Sequence, residues 1–122
     1  MNNKEIGTSF EEQFVNMLGA KGFWAHFIEP NKSGAQPFDV IAIRDGVPYV
    51  FDCKTCIRDY INLRRLETNQ ELALQKVIHC GCTNAYIAVL HNDKVYLVKY
   101  KDIVKFGSVD LDESHLFEQI IH

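Results

Sequence analysis

The stretch FDVIAIRDGVPYVFDCK, residues 38–54, decides the fold and carries the chemistry. Two apolar runs, Phe38 to Arg44 and Val47 to Thr55, flank Asp45-Gly46. Asp-Gly between such runs signals a two-residue hairpin turn of type I′, with positive φ at both turn residues. From that turn the cross-strand partners step away in pairs: Arg44 with Val47, Ile43 with Pro48 and, further down, Asp39 with Asp52. Pairs alternate between hydrogen-bonded and non-hydrogen-bonded, which puts Pro48 where its missing N–H does no harm. Asp39 and Asp52 fall in that same, closer class, with Cβ atoms about 4.5–5.5 Å apart. Lys54, two residues beyond Asp52, projects from the same face.

Two like charges directly opposite each other destabilise a sheet. Phe38, Val40, Ile41, Val50 and Phe51 give this pair an apolar setting, where the cost grows. Either one carboxyl keeps its proton or a cation sits between the two. A divalent ion on Asp39 and Asp52, with Lys54 beside it, meets the need, and hard oxygen ligands favour magnesium or manganese over zinc. The plain alternative is a pair of solvated strand-end aspartates with Lys54 as a surface partner. The pairing and the apolar flanks weigh against it.

Working outward, Ser9 and Glu12 have capping-box spacing, and Phe10, Phe14, Met17 and Leu18 form a helical stripe. A first helix therefore starts near Thr8 or Ser9 and stops at Gly22. Phe23 to Ile28 reads as a strand, and Glu29 to Pro37 as a loop. A second helix follows Thr68, capped by Thr68 with Glu71, and ends at Gly81. Asn84 to His91 and Lys94 to Tyr100 form a hairpin around Asn92-Asp93. A last helix runs from about Asp112 to Ile121, its acidic start suiting the helix dipole. The order α-β-β-β-α-β-β-α describes an α/β domain with a mixed sheet.

With 122 residues, the chain reads as one domain, residues 1–122. No apolar run approaches the roughly 18–20 residues of a membrane helix, and the polar start MNNKEIGTSFEEQ is no signal peptide, so cytoplasmic localisation and no membrane partner are expected. Cys53, Cys56, Cys80 and Cys82 have CxxC and CxC spacing that could hold zinc. Cys53 sits inside an apolar strand pattern, and reduced, buried thiols are the reading adopted. The net charge of −3 sits awkwardly with a nucleic-acid partner. Metal-loaded carboxylates offset that, and residues 54–65 gather Lys54, Arg58, Arg64 and Arg65 against a single Asp59.

At these residues the chain resembles the PD-(D/E)xK nuclease superfamily, and within it the Holliday junction resolvases of the archaeal and Gram-positive type. The likeness runs from about Gly7 to Ile103. GTSFEEQFVNMLGAKGF resembles the resolvases' opening helix and places Glu11 on the first acidic residue. Ser33-Gly34 resembles a Ser-Gly of the archaeal enzymes, and Gln70 falls on a glutamine near the start of the next helix. Asp39, Asp52 and Lys54 take the motif positions, with Phe38 in place of the proline and Asp52 in place of the more frequent glutamate.

The resemblance implies a restriction-endonuclease-like αβββαβ core, a central mixed sheet flanked by helices, and metal-dependent hydrolysis of DNA. Glu11, Asp39, Asp52 and the Cys53 carbonyl would serve the metal. Lys54 and Gln70 would complete the catalytic set, and Lys32, Ser33, Arg58, Arg64 and Arg65 would meet the DNA. A homodimer acting on four-way junctions is implied, because a junction needs paired cuts. Two rivals stay open: a same-fold nuclease with another substrate, and an inactive nucleic-acid-binding module. Several residues also have plainer readings. Glu11 suits any first helical turn, Gln70 follows a helix start, Ser33 is an ordinary turn residue, the arginines suit a solvated face, and Trp24 reads as core. The five histidines show no ligand spacing.

Overall fold

The structure, a computed structural model, describes residues 9–29 and 36–122. Helix α1 spans Phe10–Ala20 and is capped by Ser9, whose hydroxyl accepts the Glu12 N–H at 3.3 Å. Beyond Lys21 the chain turns through Gly22, whose φ of 87° is left-handed, into strand β1 (Trp24–Phe27). Strands β2 (Val40–Arg44) and β3 (Val47–Thr55) form the central hairpin. Asp45 and Gly46 take φ of 54° and 75°, the type I′ signature. The register runs from Arg44↔Val47 to Val40↔Phe51, as the turn requires.

One residue further the ladder slips. The Asp39 N–H donates to the Phe51 carbonyl at 3.0 Å, although Phe51 is already the partner of Val40. Two residues thus face one, as in a β-bulge. The direct Asp39–Asp52 pairing expected from the turn does not form. Instead the Asp39 side chain takes over: its Oδ2 accepts the Cys53 N–H at 2.7 Å. The bond satisfies a buried backbone donor from a side chain rather than from the facing strand.

After β3 the chain makes a short strand β4 (Tyr60–Asn62) and a 3-10 turn (Leu63–Arg65), then helix α2 (Thr68–His79). Strands β5 (Ala85–His91) and β6 (Lys94–Lys99) make the second hairpin, with Asn92 and Asp93 at φ of 49° and 61°. Helix α3 (Tyr100–Phe106), strand β7 (Ser108–Asp110), a 3-10 turn (Glu113–His115) and the short helix α4 (Phe117–Ile120) complete the chain. Three of these elements, β4, β7 and α3, lie outside the expected order, and the expected last helix is broken in two.

The main sheet has the order β1-β2-β3-β5-β6, with β3 and β5 parallel and the other neighbours antiparallel. This is the mixed α/β sheet flanked by helices that the sequence implies. A core of Phe14, Leu18, Phe51, Ala88 and Phe117 lies on the α1 side. Phe14 meets Phe51 edge to face, centroids 4.8 Å apart, a favoured aromatic geometry. Ile61, Leu74, Ile87, Val98 and Tyr100 pack on the other side. No helix among the described residues is long and apolar enough to cross a membrane.

Trp24 is not core: it is 59% exposed and stacks flat on His26, ring centroids 5.9 Å apart. Strand β1 lies at the sheet edge, and its main contacts are with α1 and β2, so among the described residues no helix lies over Trp24 on the opposite face. All four cysteines are free; Cys53 and Cys56 are buried as expected, whereas Cys80 is exposed and Cys82 half-buried.

Candidate active site

Alternation along β3 sends Phe51 and Cys53 toward α1, and Val50, Asp52 and Lys54 toward α2. The C-terminal end of β3, the start of β2 and the N-terminus of α2 therefore meet at one end of the sheet. Asp39 and Asp52 are both buried there, Asp52 completely. Neither Asp52 oxygen has a well-formed hydrogen bond among the described residues. Its nearest cation is the Lys54 ammonium, with Nζ 3.4 Å from Oδ2.

Burial pushes the Asp52 carboxyl up to about 7, and hydrogen bonding and charge from the neighbouring Asp39 push the same way, while Lys54 pulls it back. The two acids are thus neighbours despite the slipped rung. Asp39 is pinned on both oxygens: Oδ2 by the Cys53 amide and Oδ1 by Gln36 Nε2 at 3.4 Å. The Gln36 carbonyl accepts from Asn69 Nδ2 at 3.1 Å, tying this approach to the start of α2. Gln36 and Asn69 escaped the sequence reading. Their only signal is a polar side chain three residues before the first aspartate and another just before Gln70.

Gln70 is buried, and its Oε1 accepts both Lys54 Nζ and the Glu67 N–H, each at 3.1 Å. The helix cap is therefore Glu67 with Gln70, one residue earlier than Thr68 with Glu71. Glu71 is occupied elsewhere, accepting the Tyr100 hydroxyl at 3.0 Å. The cap and the aiming of Lys54 rest on one amide oxygen. Gln70→Ala is expected to cost about 1 kcal/mol of stability through the lost cap, read from the denaturant midpoint. If the site cuts DNA as the resemblance implies, the change is also expected to lower cleavage about tenfold by releasing the ammonium, read from single-turnover rates.

Glu11 sits in the first turn of α1, on the other side of the sheet. Burial first, then the charges of Asp39, Glu11 and Asp52, raise the Cys53 thiol, and Lys54 opposes them. All four candidate groups thus lie within electrostatic reach of one sulfur. Among the described residues no three His, Cys, Asp or Glu side chains converge into a metal cage. The residues nonetheless suit a hard dication: two buried carboxylate oxygens lack a well-formed hydrogen bond, beside a second carboxylate.

Arg65 pins the end of β3, with Nη2 2.9 Å from the Thr55 carbonyl and Nη1 3.3 Å from Cys56 Sγ. Just beyond lies a cleft of about 530 Å³ lined by Thr55, Ile57, Arg58, Tyr60, Asn62 and Arg65. Arg64 is exposed in the adjoining 3-10 turn. Lys32 and Ser33, also expected at the DNA, lie outside the described residues.

A model of the archaeal Holliday junction resolvase (Hjc) family matches residues 2–115. A solved structure of Hjc from Archaeoglobus fulgidus, a Holliday junction resolvase from an archaeal hyperthermophile, is similar in fold. It aligns with a TM-score of 0.62 and 21% identity over 88% of this chain and 87% of that one. No curated protein sequence matches significantly.

Proposed function

The chain belongs to the archaeal Holliday junction resolvase family and is a resolvase-like nuclease, and we propose that it is a magnesium-dependent endonuclease cutting four-way DNA junctions as a homodimer. The observation that carries the metal-dependent chemistry is the buried Asp39–Asp52 pair, with neither Asp52 oxygen in a well-formed hydrogen bond and Lys54 Nζ 3.4 Å from Oδ2. Asp39, Asp52 and the Cys53 carbonyl would hold magnesium, with manganese as a substitute. Bound there, the ion supplies a water of lowered pKa and offsets charge on the scissile phosphate.

The protein's own groups set the geometry. Asp39, held by the Cys53 amide and Gln36, keeps its carboxyl turned to Asp52. Gln70 holds the Lys54 ammonium at the mouth of the pair. From there Nζ stabilises negative charge as it grows on the phosphate oxygens, an effect worth more in a dry site than in water. Glu11 adds a further acid from α1, without joining the pair directly. Arg58 and Arg65 offer phosphate contacts along the adjoining cleft. We place the protein in the cytoplasm with the DNA it acts on.

Cleavage of a four-way junction and of a linear duplex of the same sequence, with magnesium, tests this reading. Paired symmetric nicks in the junction, with the duplex left intact, are expected. Equal cutting of the duplex would make the protein a same-fold nuclease of another substrate, and absence of any cutting would leave a binding module.

A further inference from the structure

The loop leaving β3 is built for display. Its entry is fixed by the Cys56 N–H on the Leu90 carbonyl at 2.9 Å and by His91 Nδ1, 3.0 Å from the Cys56 carbonyl. Arg65 clamps the same point from the side. Its exit is fixed by the Asp59 carbonyl, which accepts the Leu111 N–H at 2.8 Å. Between these anchors Ile57 stands 97% exposed, more than any other large apolar side chain among the described residues. A single exposed isoleucine is unremarkable on a loose loop. Here it forms one wall of the cleft that also holds Arg58 and Arg65. Ile57 is three residues past Lys54, so at roughly 3.3–3.6 Å per residue its Cα lies within about 11 Å of the catalytic lysine's. That reach corresponds to about three nucleotides at 3.4 Å per step.

We propose that Ile57 is an apolar wedge that packs against an unstacked base at the branch point of the DNA, with Arg58 and Arg65 taking the flanking phosphates. The inference rests on the nuclease reading and names how the same site senses structure. A continuous duplex offers no free base face, so the side chain stays in water there. A branch point offers one without the full unstacking cost, which is a few kcal/mol per step in intact duplex. Apolar wedges between base steps are a recurring device of DNA-bending proteins, and the paired arginines supply the positioning contacts such a wedge requires.

The test compares the wild type with Ile57→Ala and Ile57→Leu on four-way and linear DNA carrying 2-aminopurine at and next to the branch point. Binding is measured in EDTA, so that it does not depend on cleavage. The wild type is expected to raise 2-aminopurine fluorescence at the junction centre and not in the duplex. Ile57→Ala should abolish the rise and lower the junction-to-duplex affinity ratio about tenfold, and Ile57→Leu should keep both. An unchanged ratio and unchanged fluorescence in Ile57→Ala would overturn the proposal. So would a shift of that variant from dimer to monomer in sedimentation, since Ile57 would then belong to a contact between copies. A wedge signal in a protein that cuts no DNA would sink the nuclease reading and leave the wedge standing.

Discussion

Asp52→Asn and Lys54→Ala are each expected to lower junction cleavage about a thousandfold while junction binding stays within a few-fold of the wild type. Losing one well-placed electrostatic group in a dry site costs on the order of 10²–10³ in rate, and losing a metal-ligand charge belongs at the upper end. Binding survives because neither side chain reaches out to the duplex: Asp52 is fully buried and Lys54 has 15% of its side chain exposed. In the proposed reading, the phosphate contacts that give affinity come from the arginine cleft instead. Single-turnover cleavage beside an electrophoretic binding titration separates the two. Unchanged cleavage in either variant would remove that residue from the mechanism, and lost binding would make its role structural.

The second large effect falls on stability. Asp52 titrates near 7 in the folded protein against 3.8 when free. Between those values the folded state holds a proton that the unfolded chain has released, so metal-free stability falls as pH rises from about 4 to about 7, then levels off. Below pH 4 both states are protonated and the penalty is absent. At about 1.4 kcal/mol per pH unit the full penalty is about 4 kcal/mol. Asparagine carries no such charge. The melting temperature of Asp52→Asn should therefore gain on that of the wild type by roughly 15 °C between pH 4 and pH 8, in EDTA. Comparing the two proteins at each pH cancels the other titrating groups. A constant difference would mean that Asp52 is not held in a desolvated site. A site that destabilises the empty protein is kept for its ligand, not for the fold.

What the sequence disclosed follows from how local each signal is. The Asp45-Gly46 and Asn92-Asp93 turns set their hairpins because positive φ at both turn residues fixes the strand register within a few positions. Asp52 and Lys54 were placed on one face by alternation alone. The slip at Asp39 was not legible, because it depends on a side-chain bond to an amide fourteen residues away. The cap at α2 shifted by one residue because Gln70 is drawn inward to Lys54, a preference no capping pattern contains. Strands β4 and β7 have three residues each and, among the described residues, pair only with each other, Tyr60 with Asp110 through Asn62 with Ser108. So short a run shows no period to read. Trp24 was misplaced because its aromatic character says nothing about which face of an edge strand a helix will cover.

Calorimetric titration of manganese into the metal-free protein at pH 6, in two buffers of different ionisation enthalpy, goes straight to the aspartate pair. Binding by the wild type with release of about one proton, and loss of that binding in Asp52→Asn, is the expected result. Equal manganese affinity in the wild type and Asp52→Asn, or no binding by either, would contradict it.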